Sequence, residues 1–167
     1  MSITLRKALE TDLPGVVEIL NHGVKTRHSV GYFVSQTEAE MKEWFEEHIH
    51  SERYPIIVSE EDGRITGWIS MSPYRKGREA FNRTGEVSAY IHEDHQRKGL
   101  GQKLLDRMLE VASGTGFKII FAIVLDKNDP SIKLLEKNNF ERWAFLPDVA
   151  EIDGLLLNHI YFGKRLS

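Results

Sequence analysis

The spacing of apolar residues changes several times along the chain, and each change marks an element. Ile3 to Leu5 alternates as a short strand does. Thr11-Asp12-Leu13-Pro14 then has the form of a helix cap with proline in the first turn. Leu13, Val16, Val17 and Leu20 follow at helical spacing, and Asn21-His22-Gly23 reads as the stop of this first helix. Thr37-Glu38-Ala39-Glu40 has capping-box form and predicts a second helix, with Met41, Trp44, Phe45 and Ile49 as its apolar stripe.

Strand patterns come next. Pro55 to Ser59 and Gly67 to Met71 are strand-like, and Glu61-Asp62-Gly63-Arg64 between them carries the Asp-Gly signal of a hairpin turn. Glu86 to Ile91 alternates with period two, which puts Val87, Ala89 and Ile91 on one face and Glu86, Ser88 and Tyr90 on the other. From Gly99 the pattern turns helical, with Leu104, Leu105, Met108, Leu109 and Ala112 on one side and Gly114 and Gly116 at its close. Lys118 to Leu125 is an apolar run typical of a strand buried on both faces. Asn128-Asp129-Pro130-Ser131 opens a further short helix with an Asx-type cap and an early proline. Phe140 to Phe145 and Leu156 to Phe162 are expected to pair across Asp153-Gly154. This order of elements is that of an α/β (α+β) chain, and no repeat or linker interrupts it, so residues 1–167 are expected to form one domain.

Composition narrows the function classes. The chain has 167 residues, enough to bury one hydrophobic core without disulfides or metals. Its net charge of -3 leaves no basic footprint for a phosphate backbone, so nucleic acid is not an expected partner. With no cysteine, disulfides, thiolate zinc sites and a Cys nucleophile are excluded. His22, His28, His48, His50, His92, His95 and His159 show no His-x-x-x-His pair with an acid and no third ligand at metal spacing, so no metal is expected. His22 is a candidate for lining a pocket. The N-terminus lacks signal-peptide order, and no apolar run approaches the roughly 20 residues that cross a bilayer. A soluble, cytoplasmic protein with no membrane contact is the expectation.

Candidate chemistry gathers between the strand ending at Ile91 and the helix after it. There, in Gln96-Arg97-Lys98-Gly99-Leu100-Gly101, glycines remove side chains where backbone amides must approach a ligand. The helix start adds free N–H groups and a positive dipole end, and Arg97, Lys98 and Lys103 add charge. Together these suit a pyrophosphate. A Walker loop would need Lys-Ser/Thr after the last glycine, where this chain has Gln102-Lys103, and a dinucleotide fingerprint would come early in a repeating βαβ chain. Neither pattern fits.

The segment Gln96 to Gly101 resembles the Gln/Arg-x-x-Gly-x-Gly/Ala pyrophosphate loop of the GNAT superfamily of N-acetyltransferases, and the element order along the whole chain is similar to theirs. Three further stretches resemble the branch containing phosphinothricin acetyltransferase and amino-acid N-acyltransferases: Leu20 to Val24, Thr84 to Ile91, and Asn128 to Leu134 with Phe140. The resemblance implies a mixed sheet of about seven strands flanked by about four helices, with acetyl-CoA as donor. It implies that Tyr90 and Ile91 offer main-chain hydrogen bonds to the pantetheine arm. It gives Gln96, Arg97, Lys98, Gly99, Leu100, Gly101 and Gln102 to the pyrophosphate. Asn128 would touch the cofactor through its side chain, with Ser131 nearby. Homodimers are common among such relatives, so a homodimer built on the C-terminal region is expected.

An amine acceptor is mostly protonated near neutral pH, so the site must remove a proton before the lone pair can attack a thioester. By resemblance Glu86 is the base, acting through a water. An acceptor carboxylate needs an anchor, for which a guanidinium is best matched. Arg75, Arg78 and Arg83 precede Glu86, and Arg75 matches the branch's anchoring arginine best. Phe81, Tyr32 and Phe33 are candidates to wall the acceptor pocket. The chain departs from the pattern at Leu135, where many relatives have a Tyr or His that protonates the thiolate, at Asn139, where they have Gly, and over Pro147 to Glu151. A small amino-acid-like acceptor of the phosphinothricin or methionine sulfoximine type is the main expectation. A polyamine or peptide N-terminus, or a non-catalytic acyl-CoA sensor, are the alternatives.

Overall fold

A computed structural model describes residues 2–26 and 31–167, so His28 lies outside the described residues. The strands β1 (Thr4–Lys7), β2 (Ile56–Glu61), β3 (Arg64–Pro73), β4 (Thr84–Ile91), β5 (Ile119–Leu125), β6 (Glu141–Ile152) and β7 (Leu155–Arg165) form one sheet in the order β1-β2-β3-β4-β5-β7-β6. Every neighbouring pair is antiparallel except β4 and β5, which run parallel. The helices are α1 (Leu13–Thr26), α2 (Glu38–Ile49), α3 (Leu100–Gly114) and α4 (Asp129–Lys137). The mixed seven-stranded sheet with four α-helices is the expected architecture.

Two apolar layers sandwich the sheet. On one face Ile56, Val58 and Trp68 pack beneath Val16, Ile19 and Leu20 of α1 and Phe45 of α2. On the other, Ile69, Val87, Ile120 and Phe162 meet Leu104, Leu105 and Met108 of α3 and Ile132 and Leu135 of α4. The period-two pattern of β3, β4 and β5 sorts residues between these layers.

Local signals explain most boundaries. The capping box before α2 forms: Glu40 N donates to Thr37 Oγ1 at 3.2 Å, and Thr37 N donates to Glu40 Oε2 at 2.8 Å. Asp62 and Gly63, with φ of 50° and 76°, make the left-handed turn between β2 and β3, and Asp153 and Gly154, at 53° and 78°, repeat it between β6 and β7. Asn139 takes φ 60° after α4, so asparagine fills the left-handed helix terminus there.

Three expectations are corrected. Asn21-His22-Gly23 does not stop α1, which continues to Thr26. The Asn21 side chain instead brackets Gln36, accepting from its N–H at 2.7 Å and donating to its carbonyl at 2.8 Å, while Val24 buries in the core and holds the last turn. Strand β5 is not buried on both faces: Ile120 and Ala122 are buried, but Phe121 and Ile123 are only half-buried. Strand β6 runs past Phe145 to Ile152, because a register shift between Leu146 and Ala150 takes up Pro147 on this edge strand. Asp148, at φ 55°, turns its N–H to Asn158 Oδ1 at 2.9 Å within that bulge.

Candidate active site

The parallel pair β4–β5 is joined only from Thr84 to Glu86, opposite Ile119 to Phe121. Beyond Glu86 the strands part, while β5 stays paired with β7 as far as Leu125. A cavity of about 570 Å³ fills the parting. Glu86, Ser88 and Tyr90 line it from the α1/α2 side of β4, and Leu134, Leu135, Asn128 and Ser131 line it from α4. It therefore reaches both faces of the sheet.

The opening exposes main chain as well as side chains. His92 N donates to Thr66 O at 2.9 Å and Tyr74 N to Thr84 O at 3.4 Å, so the even-numbered residues of β4 bond towards β3. By the alternation of an antiparallel ladder, the N–H and C=O groups of Ala89 and Ile91 then face the parting, whereas those of Tyr90 are engaged with Trp68. For Tyr90 this differs from the expected free main chain, and Ala89, which the sequence reading left out, faces the parting together with Ile91. The Tyr90 ring lies 4.6 Å from that of Trp68 in the α1/α2 layer, and burial, then the neighbouring Tyr32 and Glu86, push its phenol up to about 12.

At the end of β4, Arg97 and Gly99 take φ of 60° and 76°, which folds the chain into a cup ahead of α3. The N–H groups of residues 97 to 102 have no hydrogen-bond partner among the described residues. Free donors of this kind at a helix start suit an anion. Gln96 Nε2 donates to Ile91 O at 3.3 Å and ties the cup to the strand. Gln102 exchanges side-chain hydrogen bonds with Asn138 at 2.7 and 2.9 Å, and Leu100 is buried, so both have only backbone left for a ligand. Lys98 keeps its side chain on the surface.

Glu86 sits where the parting begins, opposite Ser72 on one side and Phe121 on the other. It is half-buried and has no hydrogen bond or ion pair among the described residues. Burial alone raises its pKa above the ordinary carboxylate value. An uncommitted carboxylate of this kind can accept a proton from a bound amine. Asn128 caps α4, accepting from Ser131 N at 3.3 Å, and its amide nitrogen is left for a ligand in the cavity.

The expected acceptor residues divide. Phe33 lines the cavity, whereas Tyr32, Arg75 and Phe81 lie outside its lining. The guanidinium of Arg75 stands 5.4 Å over the Tyr74 ring, which lies 4.9 Å from Phe121 and 5.9 Å from Phe81. Arg75 and Phe81 thus join the Glu86 neighbourhood through an aromatic group. His22 does not line the cavity but pairs with Glu93 at 2.6 Å. Leu135 does line it and carries no proton to give. Sequence reading missed His159 and Tyr161, which line the cavity because β7 pairs with β5 opposite Leu125 and Ile123. No motif marks them. Among the described residues no group of three or more His, Cys, Asp or Glu side chains is placed to hold a metal.

A loop with free N–H groups after β4, and at the start of the parting a carboxylate with no partner among the described residues, suit a group-transfer site for a phosphate-bearing donor. The model of the acetyltransferase (GNAT) family matches residues 22–140, and the chain belongs to that family. It is 35% identical to the L-amino acid N-acyltransferase MnaT of Escherichia coli strain K12, over 99% of this chain and 95% of MnaT. It is 33% identical to the L-methionine sulfoximine/L-methionine sulfone acetyltransferase of Salmonella typhimurium strain LT2, over 99% of this chain and 95% of that protein. The crystal structure of a GNAT superfamily phosphinothricin acetyltransferase from Sinorhizobium meliloti in complex with AcCoA superposes with a TM-score of 0.93 at 26% identity, covering 100% of this chain and 90% of that one.

Proposed function

We propose that this enzyme transfers the acetyl group of acetyl-CoA to the primary amine of a small amino-acid-like acceptor, of the phosphinothricin or methionine sulfoximine type. The observation that carries this reading is the half-buried, unpartnered Glu86 at the point where β4 and β5 part. The names of the relatives supply the acceptor class.

The N–H groups of residues 97 to 102, with Arg97 and Lys98, hold the pyrophosphate, and Ala89 and Ile91 align the thioester arm along β4. Asn128 and Ser131 flank the arm from α4. Glu86 takes a proton from the acceptor ammonium, directly or through a water, and frees the lone pair. The donor supplies the activated acyl group: a C–N bond forms, the C–S bond breaks, CoA leaves as a thiolate, and the acylated nitrogen releases its remaining excess proton to solvent. With leucine at 135, the leaving thiolate, whose pKa is about 8.5 on the cysteine scale, takes its proton from water. Arg75 anchors the acceptor carboxylate. Tyr32, Phe33 and Phe81 contribute apolar surface at the acceptor entrance.

We place the enzyme in the cytoplasm, where this donor is available, as a homodimer of single-domain chains. The exposed Phe145, Val149, Leu155 and Leu156 on the edge hairpin β6–β7 support a second copy packing there. Release of CoA thiol across methionine sulfoximine, methionine sulfone, phosphinothricin, spermidine and a short peptide tests the reading. Turnover confined to carboxylate-bearing acceptors, and lost in Glu86→Gln, is the expected result. Acetyl-CoA binding with no turnover of any amine would replace it with the sensor reading.

A further inference from the structure

A second cavity, of about 410 Å³, opens on the same sheet face as Glu86. Its lining includes Trp44 and His48 of α2, Tyr54 ahead of β2, Ser72 at the end of β3, and Lys76 and Asn82 in the segment joining β3 to β4. The two cavities approach each other at one cross-strand pair. Ser72 lines the second, Glu86 lines the first, and they are direct partners in the β3–β4 register. Such partners have Cα atoms about 5.5 Å apart with side chains on one face.

Small polar residues line that face. Ser70, which is buried, pairs with Ser88 next to the Ser72–Glu86 pair, so four short or uncommitted polar side chains stand where the layer would otherwise be apolar. Tyr74, on Phe121, bounds this polar strip at the β3–β4 loop, and Trp68, on Tyr90, bounds it at the other end. The reacting amine, held at Glu86, therefore stands one cross-strand step from the second cavity.

The second cavity has a defined chemistry. Trp44 and Tyr54 give it aromatic surface, and the Trp44 ring stacks edgewise on His48 at 4.7 Å. His48 is buried, and its Nδ1 lies 2.6 Å from the carbonyl of Tyr54, which can only accept, so Nδ1 carries the proton and donates it. Nε2 is then left as an acceptor with no partner among the described residues. Lys76 at the rim is already paired with Glu47 at 2.9 Å, so charge does not dominate the site.

We propose that this cavity is a side-chain subsite for aromatic acceptors, reached from the amine across Ser72. It takes a long, flat, largely apolar side chain whose tip donates a hydrogen bond to His48 Nε2, and a phenol has that form. The inference rests on the acetyl-transfer reading above and names a substrate class within it.

Thiol release from acetyl-CoA, measured with methionine sulfone, phenylalanine and tyrosine, tests it in three proteins. Ser72→Leu adds bulk between the two cavities without touching the donor side. His48→Asn keeps an N–H for the Tyr54 carbonyl and removes the Nε2 acceptor. The native enzyme should prefer tyrosine to phenylalanine by about tenfold in kcat/KM, the scale of one hydrogen bond in a closed pocket. His48→Asn should bring that ratio near one with phenylalanine unchanged, and Ser72→Leu should lower both aromatic acceptors at least tenfold while sparing methionine sulfone. Turnover of methionine sulfone with neither aromatic acceptor accepted overturns the subsite alone, as does an equal loss for all three acceptors in both variants. Absence of turnover with every acceptor overturns the acetyl-transfer reading, and the subsite with it.

Discussion

The ring of Trp143 lies directly over the α-carbon of Gly163, in the space any side chain at 163 would occupy. The register shift between Arg142 and Ala144 turns Trp143 inward across β7, where it meets Phe121 edge-on at 5.6 Å. Gly163→Ala should therefore push the indole out and lower stability by about 1–3 kcal/mol, the usual cost of overpacking. Thermal unfolding of the variant, with Trp143 emission as a reporter of ring exposure, checks this. An unchanged Tm would show that the edge hairpin yields without cost.

As the proposed base, Glu86 would link catalysis to stability with opposite signs. Its raised pKa means that, just above the ordinary carboxylate range, the folded chain holds a proton the unfolded chain has lost. Stability therefore falls as pH rises through that window, and the loss persists at neutral pH. Glu86→Gln should lower kcat by about 10²- to 10⁴-fold and abolish the acidic limb of the rate profile. It should also raise the unfolding midpoint at pH 7.5 and change it less at pH 4. A Gln variant less stable than the parent at pH 7.5 would contradict the assigned burial effect.

His48 titrates in the reverse sense. Burial lowers its pKa, against the opposing pull of the Tyr54 carbonyl and of Glu47. Below about pH 6.5 the unfolded chain takes up a proton that the folded imidazole refuses, so stability drops as pH falls through that range. Denaturant midpoints from pH 8 to pH 5 should decline, and the decline should be shallower in His48→Asn. Parallel curves would remove His48 from the account.

Arg6 clamps the start of the fold. It holds Asp12 with two hydrogen bonds, at 2.7 and 3.0 Å, and reaches Glu60 at 2.6 Å, joining β1 to the turn just ahead of α1 and to β2. Asp12 is 6% exposed and also accepts from Leu9 N at 2.7 Å. Arg6→Ala leaves that carboxylate buried without its cation, and a loss of about 2–3 kcal/mol in unfolding free energy is expected. Asp12→Asn combined with Arg6→Ala should recover part of it.

Element type was readable wherever one local cause dominated. The capping box at Thr37, the Asp-Gly turns at 62–63 and 153–154, the glycine cup before α3 and the alternation of β4 each depend on residues close in sequence. The candidate anion loop and the candidate base Glu86 were proposed on the same local ground, since a turn and the strand beside it carry both. Boundaries failed where a distant partner intervened, as when Gln36 took up the side chain of Asn21 or Asn158 met the backbone of Asp148.

The assembled site lay beyond local pattern. Only the sheet order, with β7 inserted between β5 and β6, brings His159 and Tyr161 to the cavity. Only the parting of β4 from β5 frees the main chain of Ala89 and Ile91 from the ladder. Only the register of β3 sets Ser72 beside Glu86, each lining a different cavity. By itself the sequence determined which segments are helix or strand and which loop suits an anion, because dihedral preference, capping and side-chain period act over a few residues. Tertiary structure decided which faces meet and where the sheet opens, because pairing depends on the burial of whole surfaces that no short stretch of chain contains.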